Sequence, residues 1–209
     1  MNHHFSEGYI KFQIIHDPQI IDIDKNILVS FNENRNKLQK LHLIGMYNDG
    51  IGYGNISIRK ENSNQFYITG SATGNLSMLL RKHIALVTDF NISKNLLKSS
   101  GITKASSESL SHAAIYSSLD SVNSVVHIHN LYLWEKYYGI LPTTDKNIEY
   151  GTPEMAISIQ NEILKIGNKK SLVIIMGGHP EGIIAYGQTI FEATDAILKL
   201  YQLKSNGQN

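Results

Sequence analysis

The sequence has no cysteine, one tryptophan and four prolines in 209 residues. Without thiols it can form neither a disulfide framework nor a thiolate metal centre, so any bound metal must be held by imidazole and carboxylate groups. Long apolar runs are also missing: none can span a bilayer, and the segment from Met1 to His16 has no apolar signal core. A cytoplasmic address without a membrane partner is expected. Charge of one sign is lacking too, since 19 basic residues against 18 acidic ones give a formal net charge of +1. That balance is no electrostatic footprint for nucleic acid, and a small partner is expected instead. Internal repeats, low-complexity tracts and Pro/Ser linkers are absent, while 42% hydrophobic residues suffice for one substantial core. The chain is therefore read as a single domain over residues 1–209, with residues 1–26 as an N-terminal extension. His3 and His4, too few for a tag, are read as native and without function.

What is present is a mixture of helical and extended patterns. Ile27, Phe31, Leu38, Leu41 and Ile44 recur at steps of three and four or their sums, which predicts an amphipathic helix over 27–44 that stops near Gly45. The runs NISIR (55–59) and QFYIT (65–69) flank a polar turn and predict a hairpin. Further strands are predicted over 9–15, 84–88, 124–128, 172–176 and 182–186, with a return from the second of these over 91–97. Helices are predicted over 107–118, 153–166, with Pro153 in its first turn, and 189–203. Strands and helices do not alternate regularly. The expected fold is an α/β layered domain, a central antiparallel or mixed sheet with helices packed on it, and not a doubly wound parallel sheet.

The chemistry gathers around histidine. His127 and His129 are separated by one residue in a predicted strand, so both imidazoles project from one face. Taken alone, a His-x-His pair reads better as two ordinary surface or core histidines. A third imidazole, His179, sits in a glycine-rich turn (Gly177-Gly178-His179-Pro180) directly after a predicted strand. Three neutral imidazoles leave an open position on a divalent ion, the arrangement of catalytic sites. Ser106, Ser107 and Glu108 stand at the start of the helix that leads into the His127 strand. Hydroxyls and backbone N–H groups there suit an anion such as phosphate, although serines also commonly just cap helices and an acidic residue there complements the dipole. The stretches Gly54-Asn55-Ile56-Ser57 and Gly70-Ser71-Ala72-Thr73-Gly74 form a second anion candidate, or simply a pair of turns. Neither follows a dinucleotide or P-loop pattern. A cupin would also use a His-x-His pair, but its glutamate follows the pair, whereas Glu108 precedes it.

In order along the chain, Gly-Asn-Ile-Ser-Ile-Arg (54–59), Ile-Thr-Gly-Ser (68–71), Ser-Ser-Glu with His112 and Tyr116 beyond, Val-Val-His-Ile-His, Tyr-Gly-Thr-Pro-Glu (150–154) and His179 followed by Gly187 resemble the class II aldolase/adducin family. The resemblance spans roughly residues 27–203. It implies a divalent metal on His127, His129 and His179, for which three imidazoles without a thiolate favour zinc, with Glu108 as acid/base. It implies substrate phosphate held by Asn55, Ser71, Ser106 and Ser107, with Gly54 and Gly70 shaping the approach. The implied fold is an antiparallel sheet between helical layers, assembled as a homotetramer with sites at subunit interfaces. The implied activity is that of a lyase on a small phosphorylated sugar, breaking a carbon–carbon bond through a metal-stabilised enediolate. A sugar-phosphate 4-epimerase, a dehydratase of a methylthio-sugar phosphate and a non-catalytic adducin-like binding module use the same scaffold. Two departures stand out. No tyrosine matches the proton donor that a neighbouring subunit contributes in the aldolases, with Tyr132, Tyr137, Tyr138 and Tyr150 read as packing residues. Pro180-Glu181 follows His179 where aldolases more often have glycine.

Overall fold

Eight short runs rich in β-branched and aromatic residues align side by side in one sheet. The computed structural model describes residues 9–61, 63–167 and 172–205, so His3 and His4 lie outside the described residues. In chain order the elements are β1 (Gln13–Asp17), α1 (Lys25–Lys40), β2 (Gly45–Met46), β3 (Gly52–Tyr53), β4 (Asn55–Arg59), β5 (Phe66–Thr69), β6 (Ile84–Asn91) and β7 (Leu96–Ser100). Then follow α2 (Ser109–Ser118), β8 (Ser124–His129), α3 (Leu131–Tyr137), α4 (Pro153–Ile166), β9 (Val173–Ile175), β10 (Gly182–Gly187) and α5 (Ile190–Ser205). The sheet order is β1-β7-β6-β5-β4-β8-β10-β9, with β2 and β3 forming a separate small ladder. Every pair in the large sheet is antiparallel except β1 with β7, which makes the sheet mixed.

Alternation along β8 shows how the layers divide. Val125 packs with Leu110, Ala113, Met155 and Ile159 in a core beneath α2 and α4. Val126 and Ile128 point the other way, into a core with Phe31, Leu38 and Ile197 from α1 and α5. Each fully buried side chain of this size stabilises the fold by roughly 1.5–3 kcal/mol. His127 and His129 have the parity of Val125 and so face α2. The sheet is thus sandwiched by helical layers. No described helix is long and apolar enough to cross a membrane.

Element boundaries depart from the sequence pattern where turns and side-chain caps intervene. The first helix ends at Lys40 and not near Gly45, because His42 takes a left-handed φ of 53°. Leu43 and Ile44 are nevertheless buried, so they extend the apolar period without extending the helix. The first strand is shifted from 9–15 to Gln13–Asp17, with Ile10 and Phe12 packing on the core ahead of it. Helix α2 starts at Ser109, two residues after the predicted 107, so that Glu108 occupies the N-cap. Helix α3 was not foreseen; Asn130 caps it by accepting from the Leu133 N–H at 2.9 Å.

Candidate active site

The register of β8 brings the site together. Asn55 of β4 lies opposite His127 on one side, and Gly182 of β10 lies opposite His129 on the other. His179 is carried by the tight connection between β9 and β10, in which its N–H donates to the Met176 carbonyl at 3.0 Å and its carbonyl accepts from the Gly182 N–H at 2.8 Å. This turn approaches the 144–148 segment so closely that a Cβ on Gly178 would lie 1.8 Å from the Ile148 carbonyl oxygen. The glycines of the turn are required by packing, which in turn delivers His179.

His127, His129 and His179 are all buried, and their candidate ligand nitrogens lie within 4.8 Å of one another. Their hydrogen-bond partners assign the tautomers. His127 Nδ1 is 3.2 Å from the Ile183 carbonyl, which only accepts, so Nδ1 carries the proton and Nε2 the lone pair. Tyr47 donates its hydroxyl proton to Glu181 Oε2 at 2.7 Å, which leaves its oxygen to accept from His129 Nδ1 at 2.8 Å. The proton of His129 therefore also sits on Nδ1. The two Nε2 atoms face each other at 3.0 Å. Two nitrogens on one tetrahedral zinc are separated by about 3.3 Å, so the donors fit a small divalent cation. A proton shared between them would instead make the pair cationic, and the proton affinity of its member His127 is held well below that of an ordinary imidazole by burial and then by His179 and His112.

Glu108 lies beside the third imidazole. Its Oε1 is 4.0 Å from His179 Nδ1, and its Oε2 accepts from the Ser111 hydroxyl at 2.7 Å. At the N-cap its side chain makes no capping bond. The helix-start serines have mixed duties: the Ser106 carbonyl accepts from the Ser109 N–H and hydroxyl at 3.1 and 2.6 Å, leaving the Ser106 and Ser107 side chains along a cavity. Gly54, Asn55, Gly70 and Ser71 line the same cavity, as do Glu108 and His127. Asn55 is 6% exposed, and its Oδ1 has no hydrogen-bond partner among the described residues. Gly70 is demanded by the fold as well, since a Cβ there would meet Thr103 Cγ2 at 2.1 Å.

Tyr47 and Tyr53 had no role in the sequence reading, and Tyr150 was read as a packing residue. Tyr47 and Tyr53 pack together with ring centroids 4.5 Å apart, and Tyr53 lies 5.5 Å from the His129 ring. Tyr150 stacks on His179 at 4.6 Å, beneath the Lys11 ammonium. The signals for Tyr47 and Tyr53 were faint: two tyrosines flanking Gly50 and Gly52, 82 and 76 residues upstream of His129, beside and within a separate small ladder. Tyr132 and Tyr138 are 40% and 37% exposed, and Tyr137 packs against the core of α1 and α5, so none of these three enters the cavity.

Known proteins resemble this chain over most of its length. Residues 47–203 match the model of the class II aldolase and adducin N-terminal domain. The L-fuculose phosphate aldolase of Methanococcus maripaludis strain C7 is 31% identical over 166 residues, covering 72% of this chain and 83% of that protein. Its counterpart in strain C5 is also 31% identical, with 72% and 82% covered. Among solved structures, an L-fuculose 1-phosphate aldolase superposes with a TM-score of 0.65 at 18% identity, covering 90% of each chain. A sugar-phosphate aldolase from Thermotoga maritima gives 0.60 at 15% identity, covering 88% of this chain and 98% of the other. At these identities the structural matches speak for the fold alone.

Proposed function

Because the chain belongs to the class II aldolase and adducin family, we propose that it is a metal-dependent lyase that cleaves a carbon–carbon bond in a small phosphorylated sugar. The observation that carries this reading is the pair of Nε2 lone pairs meeting at 3.0 Å beside a polar cavity. His127, His129 and His179 would hold the cation, with zinc the first candidate because three imidazoles and no thiolate suit it. When bound, a divalent cation supplies Lewis acidity, which polarises a carbonyl and stabilises the charge left as the bond breaks.

The remaining work falls to protein side chains. Glu108 acts as the acid/base: it is buried, Ser111 holds one carboxylate oxygen, and the other faces the site. The Asn55 amide can turn its NH2 toward an oxyanion, and the Ser71, Ser106 and Ser107 hydroxyls can donate to the same phosphate, while Gly54 and Gly70 keep side chains out of its path. We place all of this in one domain over residues 1–209, in a cytoplasmic homotetramer. Light scattering tests the assembly, and a monomer at micromolar concentration would refute it.

The activity is tested with a panel of ketose phosphates, beginning with L-fuculose 1-phosphate, on protein of verified metal content. Release of dihydroxyacetone phosphate is the expected result. A metal-loaded protein that cleaves none of the panel would sink the lyase reading and favour an adducin-like binding module. A 4-epimerase would return an epimeric sugar phosphate without net cleavage, and a dehydratase would release water, so product analysis distinguishes both.

A further inference from the structure

We propose that Tyr47 and Glu181 form a relay that fixes His129 as a metal ligand. The inference rests on the reading that His129 helps to hold a divalent cation. It begins with the backbone. Glu181 adopts φ of 71°, a left-handed conformation that glycine occupies without steric cost and that strains most other residues. Its carbonyl accepts from the Asn130 N–H at 2.9 Å, a bond that any residue at this position would make. The backbone therefore has no need of a glutamate. A strained residue that the local fold does not require points to its side chain.

That side chain reaches the site through a single intermediary. Glu181 Oε2 lies 3.9 Å from His129 Nδ1, beyond hydrogen-bonding distance, and Tyr47 bridges the gap with bonds of 2.7 and 2.8 Å. Tyr47 is held in place by the bond from its N–H to the Ile51 carbonyl at 2.8 Å and by its contact with the Tyr53 ring. With its own proton committed to the carboxylate, the tyrosine must accept from the imidazole. This fixes both the orientation of the His129 ring and the nitrogen that keeps a lone pair. The carboxylate behind the tyrosine polarises the chain and makes Nε2 a better donor to a cation. The Ile183 carbonyl fixes His127 in the same way but without a charge, so the relay makes His129 the more strongly supported of the two. Tyr47 and Glu181 are positioning residues in this scheme.

The test measures zinc binding to metal-free protein by competition with a chromogenic chelator, and the absorption spectrum of the cobalt(II) form. The proteins compared are wild type, Y47F, E181Q, E181G and the Y47F/E181Q double variant. Y47F and E181Q are each expected to weaken zinc binding by about 10- to 100-fold and to shift the cobalt bands. Since Glu181 acts through Tyr47, the double variant should bind zinc no more weakly than Y47F alone. E181G relieves the left-handed strain, so its metal-free melting temperature should stay within a few degrees of wild type while its zinc affinity falls. A purely structural role would lower both. If wild type binds zinc and the variants bind it equally well, or if the two losses multiply in the double variant, the relay is refuted and the metal reading stands. If wild type binds neither zinc nor cobalt, both are overturned.

Discussion

Two buried polar clusters sit on the same face of the β4–β8 pair, two residues apart in register, and they behave differently. The inner one joins Ser57 Oγ to His112 Nδ1 and to the Tyr116 hydroxyl, each at 2.7 Å, while Ser124 Oγ donates to the Ser57 carbonyl at 2.8 Å. Hydroxyls tie it together, and Ser57, His112 and Tyr116 are all fully buried. The outer one, Asn55 with His127 and His129, turns two imidazole lone pairs toward each other at the edge of a cavity. Both contain fully buried histidines of lowered basicity, so burial alone does not mark a metal site. What separates them is where the lone pairs point and whether a ligand can reach them. The inner cluster should therefore govern stability, and the outer one metal content and turnover.

The sharpest way to break that contrast is His127→Ala. It is expected to abolish metal retention and turnover together, because two imidazoles make a poor site, and elemental analysis checks it. A variant that keeps its full metal content would show that the outer cluster is not the metal site. Next comes Glu108→Gln, which keeps size and hydrogen-bonding reach but cannot transfer the proton. Turnover should fall by roughly 100- to 10,000-fold with metal content unchanged. Unaltered turnover in a metal-loaded E108Q protein removes Glu108 from the acid/base role. Smaller still is the effect of Ser71→Ala at the far side of the cavity. Loss of one hydrogen bond to a charged phosphate, about 1.5–3 kcal/mol, should raise KM about 10- to 100-fold. A KM unchanged for every substrate of the panel would mean that Ser71 does not touch the phosphate.

The sequence made some of this arrangement readable and hid the rest. The period-two pattern of β8 announced that His127 and His129 share a face, and the turn chemistry around Gly177 and Gly178 marked His179 as lying in a tight loop. Helix α4 appears with the predicted bounds, Pro153–Ile166, because proline at its first turn and Gly167 after its end punctuate it. The layered fold followed from irregular alternation of strands and helices. The partners of His129 were not readable, since Tyr47 reaches it across 82 residues from outside the large sheet. No local period encodes such a contact. Glu181 was visible only as a departure from the glycine expected there; its left-handed backbone and its bond to Tyr47 needed coordinates. Helix α3 was missed for a related reason: seven residues are too few to establish a helical period, and its cap, Asn130, reads equally well as a turn.

The smallest predicted effect concerns the inner cluster and its response to pH. Burial lowers the His112 pKa from an ordinary 6.5 to about 3. Protonation of the folded protein would place a charge where the only hydrogen-bond partner is Ser57, since His112 Nε2 has none among the described residues. The unfolded chain takes up the proton first as pH falls. Stability linked to this residue is therefore fully present above about 6.5, is lost progressively below it, and stops falling only beneath the folded value near 3. Within that window the loss approaches 1.4 kcal/mol per pH unit as an order of magnitude, or about 2 kcal/mol by roughly pH 5. His127 shifts in the same direction, so a pH profile of wild type alone would mix the two. His112→Gln separates them: glutamine can still bond Ser57 but does not titrate. Urea unfolding of metal-free wild type and variant between about pH 7 and pH 4.5 should give curves that converge as the pH falls, because only wild type loses the His112 contribution. Parallel curves would mean that His112 takes up a proton as readily in the folded protein as in the unfolded chain, and burial of the inner cluster would then not govern its response to pH.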